Sequence, residues 1–277
     1  MKSIKLFCLL CLNLLTACEQ PTPPAPIKSE PPGLVFAVPP YEMPSRIQQR
    51  FAPLLSYLSE KLGQPVHLYI TTSYEDQIKR LALGEFDLAY MGPSSYIKAR
   101  DNFQHTEGQP TLIAGEAPYR AAIIVHEDSQ IKTLQDLKQA SFAFGSYHSY
   151  TGHFVVRQLL RLNHIYLKDL QFYSFLGRHE RAVMSVVHKD FDAAATTEGF
   201  AQRFIALGYP LRVLHTSELL APTVIVAKPG LSLETVNLLR DALLFPTETH
   251  PLYNSEFFEV DEQAFEEVKR IIDAIEF

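Results

Sequence analysis

Six short apolar runs between Leu34 and Ala195 each end on a cluster of small or polar residues, and most then give way to an amphipathic stretch. No other feature constrains the fold as much. Leu34–Val38 ends at Pro39-Pro40-Tyr41 and precedes Ile47, Phe51, Leu54, Leu55, Leu58 and Leu62 at helical spacing, stopped by Gly63. Pro53 within that stretch predicts a kink or a late helix start. Val66–Ile70 ends at Thr71–Tyr74, Phe86–Met91 at Gly92–Ser95, and Ser141–Phe144 at Gly145–Gly152. Leu170–Leu176 ends at Gly177–Glu180 and Phe191–Ala195 at Thr196-Thr197-Glu198. Strand alternating with helix implies an α/β fold with mostly parallel sheets flanked by helices. In such sheets ligands collect at the C-terminal strand ends, where these polar tips fall.

The chain before Leu34 reads differently. Met1–Lys5 holds two lysines, Leu6–Leu15 is nearly unbroken apolar sequence, and Leu15-Thr16-Ala17-Cys18 follows. Ten apolar residues are too few to span a bilayer and suit a secretory signal. The closing tetrad resembles the bacterial lipobox, which implies acylation of Cys18 and a membrane-anchored lipoprotein of the cell envelope. An ordinary signal peptide with an incidental cysteine is the plainer reading. Residues 19–33 contain six prolines and almost no large apolar side chain, the composition of an extended tether. The expected organisation is therefore a signal peptide over 1–18, a tether over 19–33, domain I from 34–118 plus 217–277, and domain II over 119–216. Crossings are expected near Glu116–Tyr119 and Thr216–Pro222.

Composition removes several function classes. Asp and Glu total 31 against 25 Lys and Arg, a poor balance for nucleic acid or an anionic membrane surface. All three cysteines (Cys8, Cys11 and Cys18) precede the tether, so the body has no disulfide, thiolate metal site or cysteine nucleophile. No Ser-His-Asp order, metal motif or paired-carboxylate motif stands out among the remaining residues. Neither an enzyme nor a cofactor or metal is expected.

The ordered set Tyr74, FDLAYMGPSSY, PYRAAIIVHEDSQIKTLQDLK, HSYTG and GRHERAVMSVVHKDFDAA, spread over residues 34–228, resembles the phosphonate/phosphite substrate-binding proteins of ABC transporters. The resemblance implies a two-domain type II periplasmic-binding-protein fold with the ligand cleft between domains. It also implies an oxyanion held by Tyr74, by Tyr119 at the crossing, by Ser149-Tyr150-Thr151-Gly152 opening a helix, and by His179 opening the next. Tyr150 stands where the family has a small threonine. Members that recognise an aminoalkyl phosphonate place two acids around the amine. Glu198 lies near one of those positions, while the other falls at Thr223. The expected ligand is therefore a small phosphorus oxyanion without an amine, phosphite or methylphosphonate, captured by a monomer and passed to an ABC permease. A sensory partner would use the same cleft.

The residue types agree with that chemistry. A helix N-terminus offers free N–H groups and a partial positive charge, and Ser, Thr, Tyr and His add neutral donors. Each residue also has a plainer role. Ser149–Gly152 reads as an N-cap, Tyr74 as a packing tyrosine, His179-Glu180 as a helix start, and Ser94-Ser95 as a cap with Ser95 facing the cleft in the binding reading. His148 and His153 read as rim residues.

Overall fold

The computed structural model describes residues 33–103, 108–246 and 256–276. Cys18, the signal segment and residues 19–32 lie outside them.

The tightest local signals give the elements that carry the cleft. β1 (Leu34–Val38) leads into α1 (Pro44–Leu62), where Pro44 stands in the first turn and lacks an N–H that would be unpaired there anyway. The helix begins at Pro44 and runs on through Pro53, so the late start expected from that proline does not occur. β2 (Val66–Ile70) and α2 (Tyr74–Ala82) follow, with the Ser73 side chain accepting from the Asp76 N–H as an N-cap. β3 (Leu88–Met91), α3 (Pro93–Phe103) and β4 (Thr111–Glu116) come next. The chain then crosses to β5 (Ala121–His126), β6 (Ser141–Phe144), α4 (Val155–Leu162), β7 (Phe172–Phe175), α5 (His179–Val187), β8 (Ala193–Thr197), α6 (Glu198–Ala206) and β9 (Leu211–Thr216). It returns through β10 (Val224–Ala227), α7 (Leu233–Leu244), β11 (Phe257–Phe258) and α8 (Glu266–Glu276).

Two sheets result. One has the order β11-β4-β10-β3-β1-β2 and the other β7-β6-β8-β5-β9. Pairing is mixed, which refines the expectation of mostly parallel sheets. β1 is parallel to β2 and β3, and β6 to β7 and β8, but β10, β11, β5 and β9 pair antiparallel with their neighbours. The reason is topological. β5 and β10 are the strands entered from the two crossings, so each runs against the βαβ strands beside it. The crossings themselves touch through a bridge between Tyr119 and Leu220.

Strand residues alternate between two buried faces, as central strands must when helices cover both sides. Phe36 and Val38 pack with Ile47, Phe51, Leu54 and Leu58 of α1 and with Leu239 and Leu243 of α7. Ala37, Ala89 and Met91 face the opposite way, toward Ile78, Leu81, Tyr96 and Phe265. That second layer continues without a break into Ile123, Phe142, Phe144, Val156 and Leu160 below the other sheet. On the far side of the second sheet, Ile124, Ala143 and Ala194 pack against Val183 and Val186 of α5 and Phe204 of α6. Both sheets use one polar stitch. Asp87, preceding β3, accepts from the Val35 N–H at 2.8 Å, and Asp192, preceding β8, accepts from the Ser141 N–H at 2.8 Å. The repeated Phe-Asp pair in FDLAY and FDAAA is the sequence form of that stitch.

Candidate ligand-binding cleft

The strand tips of both sheets converge on a cavity of about 840 Å3. Of the residues singled out from sequence, Tyr74, Ser95, Tyr119, Ser149, Tyr150, Thr151 and His179 line it. Glu198 is not among the lining residues. β8 runs on through Thr197, so Glu198 becomes the first residue of α6 and gives its N–H to the Arg120 carbonyl at 2.9 Å. The face that α6 turns to the cavity is instead Gly199, Phe200 and Arg203.

The densest part of the site is the turn after β6. Ser149 caps a single π-type turn, Tyr150–Phe154, and its Oγ accepts from the Gly152 N–H at 3.0 Å. Such turns concentrate at functional sites. Ser149 Oγ also lies 3.1 Å from His179 Nε2. Gly152 makes this junction possible. A Cβ there would stand 2.9 Å from Ser149 Oγ, 3.0 Å from His179 Cε1 and 3.2 Å from Gly145 Cα. Tyr150 and Thr151 are both buried.

His179 opens α5, with Nδ1 3.3 Å from Thr196 Oγ1. Burial lowers its pKa to about 4, so near neutral pH the imidazole is uncharged and presents one donor and one acceptor nitrogen. Tyr74 opens α2, and burial pushes its phenol well above the ordinary value. The Tyr119 phenol is raised for the same cause. Both tyrosines thus stay protonated and able to donate. Ser95, only 1% exposed, brings a buried Oγ that has no hydrogen-bond partner among the described residues. A buried hydroxyl left unpaired costs free energy, so one that lines a cavity points to a ligand or water.

A second, charged group of lining residues was not singled out from sequence: Tyr41, Glu42, Arg46, Arg50, Tyr90, Glu116 and Arg203. Arg203 reaches from the second sheet to Glu42 of the first at 2.6 Å. Glu116 accepts from the Tyr90 hydroxyl at 2.7 Å and lies 3.7 Å from Arg50, which also donates to the Tyr41 hydroxyl at 3.2 Å. The α1 contribution had a legible signal, because Arg46, Gln49, Arg50 and Pro53 share one helical face. Two further bonds join the sides of the cleft. The Glu180 N–H donates to the Tyr41 carbonyl at 3.4 Å, and Ser94 Oγ donates to the His148 carbonyl at 2.7 Å. Among the described residues no group of three or more His, Cys, Asp or Glu could hold a metal ion.

Comparison with known proteins adds the following. Residues 36–271 match the family described as the phosphonate periplasmic substrate-binding protein of ABC transporters. PhnD1 from Prochlorococcus marinus, solved in complex with methylphosphonate, superposes with a TM-score of 0.81 at 17% identity, covering 88% of this chain and 98% of its own. A binding-protein component of an ABC phosphonate transporter from Pseudomonas aeruginosa gives 0.79 at 20% identity, covering 88% and 86%. The aliphatic sulphonate binding protein SsuA from Escherichia coli gives 0.59 at 17% identity, covering 88% and 87%. The fold is that of the type II periplasmic binding proteins.

Proposed function

The chain belongs to the family of periplasmic phosphonate-binding proteins of ABC transporters, which are transport proteins and not enzymes, and on that premise we propose that it captures a phosphonate or phosphite oxyanion through Tyr74, Ser95, Tyr119, Ser149, Tyr150, Thr151 and His179. The observation that carries this reading is the convergence of uncharged, largely buried donors on one cavity, with Ser95 Oγ lacking a partner. Ser149 and His179 already bond one another. An arriving oxyanion exchanges that neutral bond for charge-assisted ones, each contributing about 1.5–3 kcal/mol. Four or five such bonds support micromolar affinity, about −8 kcal/mol, after ordering costs.

The two-acid pattern of amine recognition is not met here, because Glu198 lies outside the cavity lining and Thr223 is no acid. Phosphite and methylphosphonate therefore bind at least as well as aminoethylphosphonate. Titration calorimetry of the purified protein with these three compounds, phosphate and sulfate tests the reading. A hundredfold preference for aminoethylphosphonate refutes the amine argument, and no binding by any phosphorus oxyanion refutes the ligand class. The same proposal has Cys18 lipidated, the body held at the membrane facing the periplasm or exterior, and the ligand delivered to an ABC permease by a monomer. Among the described residues no helix is long and apolar enough to cross a membrane. Acyl labelling that persists in Cys18→Ser overturns the anchor.

A further inference from the structure

The cavity is several times larger than its neutral donors require. A one-carbon phosphonate displaces only about three or four waters, ~100 Å3 at ~30 Å3 each, against the 840 Å3 of the half-open cleft. What lines the remainder is charged, and the charges do not balance. Three guanidiniums (Arg46, Arg50 and Arg203) face two carboxylates (Glu42 and Glu116). Glu42 is engaged, while Glu116 is hydrogen-bonded through one oxygen only, its buried Oε1 having no hydrogen-bond partner among the described residues. Glu42 holds Arg203 at 2.6 Å, and Glu116 takes the Tyr90 hydroxyl at 2.7 Å with Arg50 at 3.7 Å. Arg46 is exposed at the mouth of the cavity, and none of the ion pairs among the described residues includes it.

The local backbone reinforces the same sign. α1 starts at Pro44 with no acid in its first turn, and Met43 at the N-cap supplies no side-chain bond. The partial positive charge of a 19-residue helix is therefore uncompensated within that turn, where Arg46 sits. Gln49 stands one turn on and adds an amide on the same face. A ligand tail ending in an ammonium group could reach Glu116 Oε1 only beside Arg50, in a lining that carries one surplus cation. A purely apolar tail would press against guanidinium groups. A distal anion would receive a planar fork of donors from Arg46.

We propose that the ligand is an organic phosphonate bearing a second, distal carboxylate, with Arg46 as the residue that receives it. This rests on the oxyanion reading above, because the phosphonate end must occupy the neutral donors. The test is calorimetric titration of the purified protein with 3-phosphonopropionate, with length-matched propylphosphonate, and with methylphosphonate as the arm that reports the oxyanion site alone. The expected result is at least tenfold tighter binding of 3-phosphonopropionate than of propylphosphonate, with that ratio falling toward one in Arg46→Ala and partly retained in Arg46→Lys. Arg46 is exposed, so the substitution spares the core. A ratio near one in the unaltered protein, with methylphosphonate or propylphosphonate bound, overturns the second anion and leaves the oxyanion reading standing. A ratio that survives Arg46→Ala overturns the role of Arg46. If none of the three compounds binds, the oxyanion reading fails and takes this proposal with it.

Discussion

At the scale of single residues, the candidate site brings uncharged polar groups close together. On the proposed oxyanion reading, His179→Ala and Tyr119→Phe would each delete one donor to a charged oxygen and are expected to weaken binding by about 1–3 kcal/mol while the fold persists. Calorimetry beside a circular-dichroism melt checks both, and full affinity in either variant removes that residue from the site. Burial that keeps His179 neutral also makes stability depend on pH. His179 and His153 are both lowered to about 4 by burial, while an unfolded histidine titrates near 6.5. Between those values the unfolded chain binds protons that the folded chain does not, so stability is full above about pH 6.5 and falls as pH drops toward 4. Each histidine contributes a loss of about 1–2 kcal/mol between pH 7 and pH 5. Urea midpoints at pH 7, 6 and 5 measure this, and a flat series contradicts it.

At the scale of elements, the cleft is held by α6 reaching back to the segment between β1 and α1. Glu42 is 4% exposed, so removing its partner leaves a buried carboxylate unpaired, whereas Arg203 itself is partly solvated. Arg203→Ala is therefore expected to cost about 1–3 kcal/mol, less than a fully buried pair would. The loss should shrink in an Arg203→Ala, Glu42→Gln double variant, and thermal melts of the singles and the double form the cycle that decides. The same elements show what was legible in the sequence. The first four strand tips fall where the apolar runs break, and β7 ends one residue early, at Phe175. The end of β8 was misjudged because Thr196 and Thr197 look like a polar tip, yet they pair with Ala122 and Ala121 of β5. That extension moves Glu198 into a helix and out of the cavity lining. The neutral donors were legible through the family resemblance, since each alone reads as a cap, a packing tyrosine or a helix start. Glu42, Glu116 and Arg203 were not, because they meet the arginine face of α1 only through folding, and their separation along the chain carries no motif.

At the scale of the whole molecule, the body is two sheets joined by two crossings that bridge at Tyr119 and Leu220. This arrangement predicts hinge motion about the crossings, with ligand favouring the closed form. The radius of gyration from small-angle scattering should fall when the true ligand is added, and binding without compaction would refute a hinged cleft. Ligand should also stabilise the fold by about 2.7 kcal/mol at a hundredfold excess over Kd. The neutrality of the donors has a further consequence, in the rate of capture. The chain carries a formal net charge of −6, so its summed field repels an anion at long range. The attraction of hydroxyls, amides and a neutral imidazole is that of dipoles and acts only near contact. Long-range steering by the net charge is thus unfavourable, and only the local field of the cavity guanidiniums, acting within about a Debye length, draws an anion in. On the proposed reading, affinity is expected to reside in slow dissociation more than in fast capture, which ligand-release kinetics at low and high salt would measure.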